Sequence, residues 1–459
     1  MKPANISFSV IFLLVFSIAC QNDFLDVNRD KRQVIPETIA DFQAMLDHTN
    51  VMNNRSSHEL GVVGSDAISL LDASWNSLVS PYQKNGYIWA DNVYEGETVN
   101  DWDQAYYRIL LANTALEGVE GIEPGAEELQ QWENVKGSAL FFRTWNFYQL
   151  AQLFCGPYNE QTAATDPGIP LRLVSDITAK STRASIEATY GQMIRDLKEA
   201  AELLPETPSV FYRPSKPAAF ALLSRIFLQM GNYDEAARYA DSCIRLKDGL
   251  LDLNDLDLTI KYPFPAFGEG NPEVIFMTRM QNILIVASAR QNIDSGLLRM
   301  YEEGDLRRQA YFNATTEDQR TLFTGSYDGR DVLFTGLSTS EVLLTRAECF
   351  ARQGETVRAL NDMNRLLKHR YKTERFVPAV ALKPEELLAF VIKERRKELI
   401  LRGTRWEDLR RLNKEPEFAE VLVREVNDKR YELIPGDLRY VWPIPDNVIE
   451  LSGMEQNSR

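Results

Sequence analysis

Residues 224–243, SRIFLQMGNYDEAARYADSC, are the stretch of this chain that decides its fold. The apolar residues before Gly231 indicate a helix, and Pro217 marks its start because proline is tolerated in a first helical turn. Gly231 ends that helix, since glycine readily adopts the left-handed conformation that terminates helices. A second helix is predicted from Tyr233 to about Leu246. The stretch therefore predicts a helical hairpin with a short turn.

The contact positions of this hairpin hold small and aromatic residues at fixed offsets: Ser224, Phe227, Gly231, Tyr233, Ala236, Ala240 and Cys243. Similar offsets recur further along the chain at Ala347, Phe350, Gly354, Thr356, Ala359, Met363 and Leu366. The pattern resembles the tetratricopeptide hairpin, in which small residues let two helices pack closely. The two turn glycines are separated by far more than one repeat of about 34 residues. We therefore expect two hairpins interrupted by an insertion.

Other segments with three- and four-residue apolar spacing also predict helices. One runs from Ser185, a capping residue, to Leu204, where Pro205 stops it. The remaining predicted helices are Asp103 to Leu116, Val135 to Phe154, Pro384 to Leu401, and Arg405 to Leu412.

The segment between the two hairpins, about residues 247–340, is rich in glycine and proline turns. Two short parts of it, residues 273–278 and 283–287, have strand-like composition. We therefore predict a mostly α fold in one body, residues 20–459. Tetratricopeptide-like hairpins form one wall, at about 103–246 and 341–412. An irregular, loop-rich lobe with short strands, at about 50–102 and 247–340, packs on that wall and binds the ligand.

Composition argues against nucleic acid as a partner. The chain has 459 residues, 44% of them hydrophobic and 25% charged, and a formal net charge of −15. An acidic surface is a poor match for phosphate backbones. The mixed-charge run from Lys393 to Lys397 is expected to form a solvated or ion-paired helix face.

The cysteines do not form a disulfide framework, because Cys155, Cys243 and Cys349 are an odd trio in a large chain. We expect buried thiols, with a single disulfide as the alternative.

The first twenty residues predict export. An apolar run shorter than a membrane span ends in Ser17-Ile18-Ala19-Cys20, which is typical of a signal peptide over residues 1–19. Cys20 resembles the lipidated cysteine of a bacterial lipobox, although Ser17 stands where that motif usually has leucine. A multiply acylated Cys20 would anchor the protein to a membrane.

The sequence lacks the common catalytic motifs. With only His48, His58 and His369, it has no His-Glu-x-x-His helix, and it has neither a Gly-x-Ser-x-Gly elbow nor a phosphate-binding glycine loop. Asp252, Asp255 and Asp257 lack the spacing of a calcium loop and are expected to form a turn. We predict a protein that is not an enzyme and has no cofactor and no metal.

Several patterns in order along the chain resemble the SusD/RagB family of Bacteroidetes outer-membrane nutrient-binding lipoproteins. They are Asn22–Asp26, Tyr87–Trp89 followed by Trp102 to Asn113, Arg143 to Pro157, Asn271–Phe276, Glu394–Leu399, Gly403–Arg411, Trp442–Pro445 and Gln456-Asn457. Cys155 departs from the family, which commonly has tyrosine before the glycine. The resemblance implies a tetratricopeptide-like fold and a lipid anchor at the cell exterior of the outer membrane. It also implies capture of a glycan or peptide for a SusC-like TonB-dependent β-barrel.

Ligand-contacting residues are predicted where aromatic and amide side chains interleave, because sugars stack on aromatic rings and pair their hydroxyls with polar groups. These candidates are Trp75, Asn76, Tyr82, Gln83, Asn85, Tyr87 and Trp89. Secondary candidates in the insertion are Phe267, Tyr301, Arg307, Tyr311 and Tyr327. The tryptophans within helix-like motifs, Trp102, Trp145, Trp406 and Trp442, are expected in the core.

The leading hypothesis is a glycan-binding protein of the cell surface. Oligopeptide capture by the same architecture, and a helical-repeat scaffold that binds only proteins, remain as alternatives.

Overall fold

The computed structural model describes residues 36–315, 319–380 and 382–459. The predicted signal peptide, Cys20 and the Asn22–Asp26 motif lie outside these residues. The described chain is mostly helical, and its strands are short. The helices are α1 (Ile39–Leu46), α2 (Thr49–Met52), α3 (Glu59–Gly64), α4 (Asp72–Asn76), α5 (Pro81–Tyr87), α6 (Asn100–Glu120), α7 (Leu129–Phe154), α8 (Ile186–Leu203), α9 (Lys216–Met230), α10 (Tyr233–Leu246), α11 (Ser295–Leu298), α12 (Arg307–Ala310), α13 (Thr339–Arg352), α14 (Thr356–Lys368), α15 (Pro384–Glu398), α16 (Arg405–Leu412) and α17 (Asp446–Ser452).

The strands form four separate antiparallel pairs. They are β1 (Pro167–Pro170) with β2 (Arg183–Ser185), β3 (Val274–Phe276) with β6 (Leu337–Ser338), β4 (Phe312–Ala314) with β5 (Thr321–Phe323), and β7 (Leu422–Val426) with β8 (Lys429–Leu433). The mostly α prediction is confirmed. The division of the chain between wall and lobe remains a prediction.

The helices pack as successive neighbours: α6 on α7, α7 on α8, α8 on α9, α9 on α10, and α13 on α14. The two predicted hairpins are present, and α10 packs directly on α13, so the insertion between them leaves the hairpins adjacent in space. At the turn of the first hairpin Gly231 has a φ of +74°. Its two helices approach closely enough for the Ser224 hydroxyl to donate to the Ala236 carbonyl at 3.0 Å.

One strand prediction is confirmed and one is wrong. Residues 274–276 form β3 within the predicted range 273–278. Residues 284–286 instead form a 3-10 turn. The backbone N–H of Ile285 donates to the Gln83 side chain at 3.0 Å, so it is bonded to a side chain and not to a partner strand.

The core consists of two hydrophobic clusters. The larger runs through the helices and includes Phe276, whereas the smaller includes Tyr87 and Tyr327. Cys155, Cys243 and Cys349 are free and buried, as predicted. The four tryptophans assigned to the core are also buried. In the part of the chain described, no helix is long and apolar enough to cross a membrane.

A group of buried charged residues joins α15 to the segment between the two hairpins, and we call it the buried charge cluster. Its members are Glu273, Asp305, Arg307, Arg370, Glu394, Lys397 and Glu398, none more than 4% exposed. Arg370 forms ion pairs with Glu273 at 2.6 Å and Glu398 at 2.8 Å. Arg307 contacts Glu394 at 2.6 Å and Glu398 at 3.2 Å. Burial alone would raise the pKa of Glu398, but Arg370 and Arg307 outweigh it and lower that pKa to about 2.

The prediction for the charge run on α15 was a helix face that is either solvated or ion-paired. The run is ion-paired, and its central residues are not solvated. Glu394, Arg395, Lys397 and Glu398 are buried, whereas Lys393 is half-buried. A helix that is charged in sequence can be buried when each charge meets a partner of opposite sign.

Candidate ligand-binding surface

Three of the seven predicted ligand residues lie at or near the surface. Trp75 is half-buried. Its indole N–H donates to the Lys84 carbonyl at 3.1 Å, and the Lys84 ammonium lies 4.7 Å from the centroid of the Trp75 ring. Asn76 forms a reciprocal amide pair with Asn427, with distances of 2.9 and 3.0 Å. The Asn85 amide donates to the Glu95 carboxylate at 2.8 Å. These residues present an aromatic edge beside polar groups.

The other four residues of the set are buried, so the expectation that they face a ligand is corrected. Tyr82 donates to the Glu59 carboxylate at 2.5 Å, and the Gln83 side chain accepts the N–H of Ile285. Burial and the neighbouring Glu59 carboxylate raise the pKa of Tyr82.

Tyr87 and Trp89 are likewise fixed in the interior. The Tyr87 hydroxyl accepts the N–H of Leu70 at 2.8 Å, and the Arg424 guanidinium covers its ring at 3.6 Å. The Trp89 indole donates to the Gly64 carbonyl at 3.0 Å. Although these residues sit in turn-rich sequence, partners from distant segments cover them.

Of the secondary candidates, only Phe267 is exposed. Tyr301, Arg307, Tyr311 and Tyr327 are buried. Phe267 exposes 44% of its surface and has a φ of +60°. A left-handed backbone costs a residue other than glycine roughly 1–2 kcal/mol. An exposed aromatic ring held at that cost, without burial in return, is a mark of a functional position.

Two arginines flank the Phe267 ring. The guanidinium of Arg330 lies 3.9 Å from the ring centroid, and that of Arg279 lies 5.4 Å away. Asp328 is fully buried and forms ion pairs with both arginines, that with Arg330 at 2.9 Å. The backbone N–H of Phe267 donates to the Asp328 carbonyl at 2.7 Å. We call Phe267, Arg279, Asp328 and Arg330 the Phe267 patch.

The electrostatics of the Phe267 patch are those of a partly desolvated site. Burial raises the pKa of Asp328 and lowers the pKa of Arg279. A flat ring beside several N–H donors can stack on the C–H face of a sugar and hydrogen-bond its hydroxyls. Arg279, Asp328 and Arg330 were not among the residues predicted from the sequence. The sequence signal that could have identified them is the pair of glycine-containing turns at Gly268 to Gly270 and at Asp328-Gly329. These two turns lie on either side of the Phe267 ring.

No group of three or more His, Cys, Asp or Glu side chains within the described ranges is arranged to hold a metal ion. Asp252 and Asp257 form turns, as predicted. Asp252 accepts the N–H of Asn254 at 2.9 Å, and Asp257 accepts the N–H of Thr259 at 3.0 Å.

Two family models match most of the chain between them. Residues 23–228 match the SusD-like family described as "Starch-binding associating with outer membrane", and residues 326–459 match the SusD family.

Two SusD-like proteins of Formosa agariphila are similar to this chain. One is 31% identical over 36% of this chain and 32% of its own length, so that match spans about a third of the relative. The other is 21% identical over 88% of this chain and 92% of its own length.

Solved structures share the fold. A SusD superfamily protein of Bacteroides thetaiotaomicron has a TM-score of 0.73 at 20% identity, covering 92% of this chain and all of that protein. A SusD-like carbohydrate-binding protein of Bacteroides vulgatus has a TM-score of 0.68 at 18% identity, covering 91% and 97%. The fold is therefore that of the SusD superfamily. The chain belongs to the SusD/RagB family.

Proposed function

We propose that this protein captures a glycan or oligosaccharide at the cell surface, with Phe267 as its aromatic platform. The observation that carries the proposal is an exposed ring held in a left-handed backbone conformation between Arg279 and Arg330. The starch-binding description of the matching family agrees with a carbohydrate ligand.

Trp75 is proposed as a second aromatic contact, with Asn76 and Asn85 supplying amide groups. Its contribution is smaller because Trp75 is half-buried and its indole N–H is already bonded to the Lys84 carbonyl. Asn76 can exchange its bond to Asn427 for one to a sugar hydroxyl, since both amides lie at the exposed surface.

The bound glycan is proposed to pass to a SusC-like TonB-dependent β-barrel in the outer membrane, without being transformed. This part of the proposal rests on family membership. Binding and transfer need no catalytic group, so the protein acts as a receptor and not as an enzyme.

The anchor is proposed to be an acylated Cys20, with the body facing the cell exterior. Cells grown with radioactive palmitate are expected to label the wild-type protein, and the Cys20→Ala variant is expected to carry no label. Label that persists in that variant, or an unlabelled wild type, contradicts the anchor.

Calorimetry of the purified protein against a panel of neutral polysaccharides that includes starch tests the ligand site. Phe267→Ala is expected to weaken binding roughly tenfold, which corresponds to about 1.4 kcal/mol. Trp75→Ala is expected to have a smaller effect in the same direction. Tyr107→Ala is the matched control, because Tyr107 is an equally exposed aromatic residue (46%) on helix α6.

Unchanged affinity in Phe267→Ala contradicts the proposed site even if the wild type binds a glycan. Binding of peptides and of no polysaccharide would instead favour the oligopeptide alternative.

A further inference from the structure

The hairpin β7–β8 has a regular register that identifies its hydrogen-bonded pairs. Val426 pairs with Lys429 across a two-residue turn in which Asn427 and Asp428 have φ values of +49° and +61°. Such a turn joins two residues that exchange backbone hydrogen bonds. Hydrogen-bonded and non-hydrogen-bonded pairs then alternate along the ladder.

The alternation leaves one edge of β7 open. Arg424 and Leu422 bond to β8, so the N–H and C=O groups of Val423 and Glu425 point away from it. Within the described residues, these outward groups have no hydrogen-bond partner. Val421 and Val423 are exposed along the same edge, at 51% and 42%. An open edge with apolar side chains is a template for pairing with another strand.

A groove of about 530 Å³ runs along this open edge. Residues 420–425 form one wall, and Asp66, Ile68, Ser69 and Asp294 contribute to the rest. Since β7 has five residues, the edge is about 17 Å long. The groove therefore has the length of a short added strand.

The hairpin is fixed in place, so the groove exists before any partner binds. The backbone N–H of Asn427 donates to the Asp72 carboxylate at 2.9 Å. The Arg424 guanidinium donates to the carbonyls of Val63 and Ser65 from beneath the strand. A preorganised edge loses little conformational entropy when a strand is added.

The charges along the groove favour a basic occupant. Four carboxylates line the groove, those of Asp66, Asp294, Glu420 and Glu425, against two arginines, Arg396 and Arg424, so its lining is net negative. Arg396 pairs with Asp66 and Glu420, whereas Arg424 stacks on the Tyr87 ring and keeps its charge. Asp294 also lines the groove, and its carboxylate has no ion-pair partner in the part of the chain that the structure describes.

Glu425 adds a second carboxylate that is only weakly neutralised. Its ion pair is with the exposed Arg430 at 3.6 Å. The excess of carboxylates over arginines in the lining thus favours cationic side chains that enter the groove.

We propose that the open edge of β7 binds an extended, basic segment of a partner protein as a third strand of the hairpin. Backbone hydrogen bonds to Val423 and Glu425 supply the affinity, and alternate side chains reach Asp294 and Glu425. This mode of recognition is β-strand addition. The inference is independent of the proposed glycan site, because it uses none of the residues of the Phe267 patch.

Fluorescence anisotropy with a labelled, capped peptide, acetyl-Lys-Val-Lys-Val-Lys-amide, tests the proposal on the intact chain. The wild-type protein is expected to bind it. A copy N-methylated at alternate residues loses two backbone hydrogen bonds, each contributing about 1 kcal/mol, and is expected to bind at least about tenfold more weakly. Equal binding of the two peptides overturns strand addition, and this comparison needs no protein variant.

Val423→Pro removes one outward N–H without touching the β7–β8 ladder, and it is expected to weaken binding about tenfold or more. Glu432→Pro is the matched control, since Glu432 pairs with Val423 and the change removes an outward N–H from the opposite edge of the hairpin. Equal losses in both variants contradict the assignment to β7.

Equal binding of acetyl-Glu-Val-Glu-Val-Glu-amide overturns the charge preference. Binding only of peptides with free termini would overturn the partner-protein source in favour of a free peptide ligand.

Discussion

Replacing Arg370 with methionine is expected to lower the free energy of unfolding by about 3–5 kcal/mol. Arg370 is fully buried and forms ion pairs with Glu273 and Glu398. It also donates to the Leu251 carbonyl at 2.9 Å. Methionine is of similar length but leaves both carboxylates without this cation in the interior. Chemical unfolding followed by circular dichroism measures the change.

Arg358→Met is the control, because Arg358 forms an exposed ion pair with Glu355 on one helix. Its loss is expected to change the free energy of unfolding by no more than about 0.5 kcal/mol. A similar small effect for Arg370→Met would contradict the importance of the buried charge cluster.

The same variant has a pH signature. The folded-state pKa of Glu398 is lowered from 4.5 to about 2, so its stabilising contribution is present above pH 4.5 and is lost as the pH falls through about 2. Without Arg370 this pKa rises, and the variant is expected to unfold in acid at a higher pH than the wild type. Identical acid-unfolding midpoints would contradict this explanation.

Phe276→Ala is expected to lower the free energy of unfolding by about 3–5 kcal/mol. Phe276 belongs to the insertion but packs into the helical core. Its ring centroid lies 4.8 Å from that of Phe141 and 5.5 Å from that of Trp145. The truncation leaves a cavity where β3 meets α7, which thermal or urea unfolding detects.

Phe267→Ala is the natural comparison, since it changes the same residue type in the same insertion. Phe267 is 44% exposed and Phe276 is fully buried. We expect Phe267→Ala to shift stability by no more than about 0.5 kcal/mol while reducing ligand binding. Equal destabilisation by the two substitutions would contradict the assignment of one to the core and the other to the surface.

Local patterns predicted the helices well. The helix over residues 405–412 has the predicted bounds, and Ser185 caps α8 as expected. The interrupted hairpins were also recognisable, because a turn glycine and small contact residues lie within about twenty positions of each other. Features that depend on residues within one or two helical turns of each other can therefore be predicted from the sequence.

The ligand surface was predicted less well, because burial depends on distant partners. The Gln83 side chain bonds to a residue 202 positions away, and Arg424 reaches Ser65 across 359 positions. Interleaved aromatic and amide residues occur both in exposed grooves and in polar interiors. Sequence composition could not separate the two.

The sequence by itself determined a mostly helical member of the SusD/RagB family built on tetratricopeptide-like hairpins, because those features follow from short-range spacing and from motifs kept in order. Only the tertiary structure decided that Tyr82, Tyr87 and Trp89 are interior residues, that Phe267 stands exposed between two arginines, and that β7 keeps an open edge. The physical reason is that exposure and unpaired backbone groups are set by contacts between segments far apart in the chain.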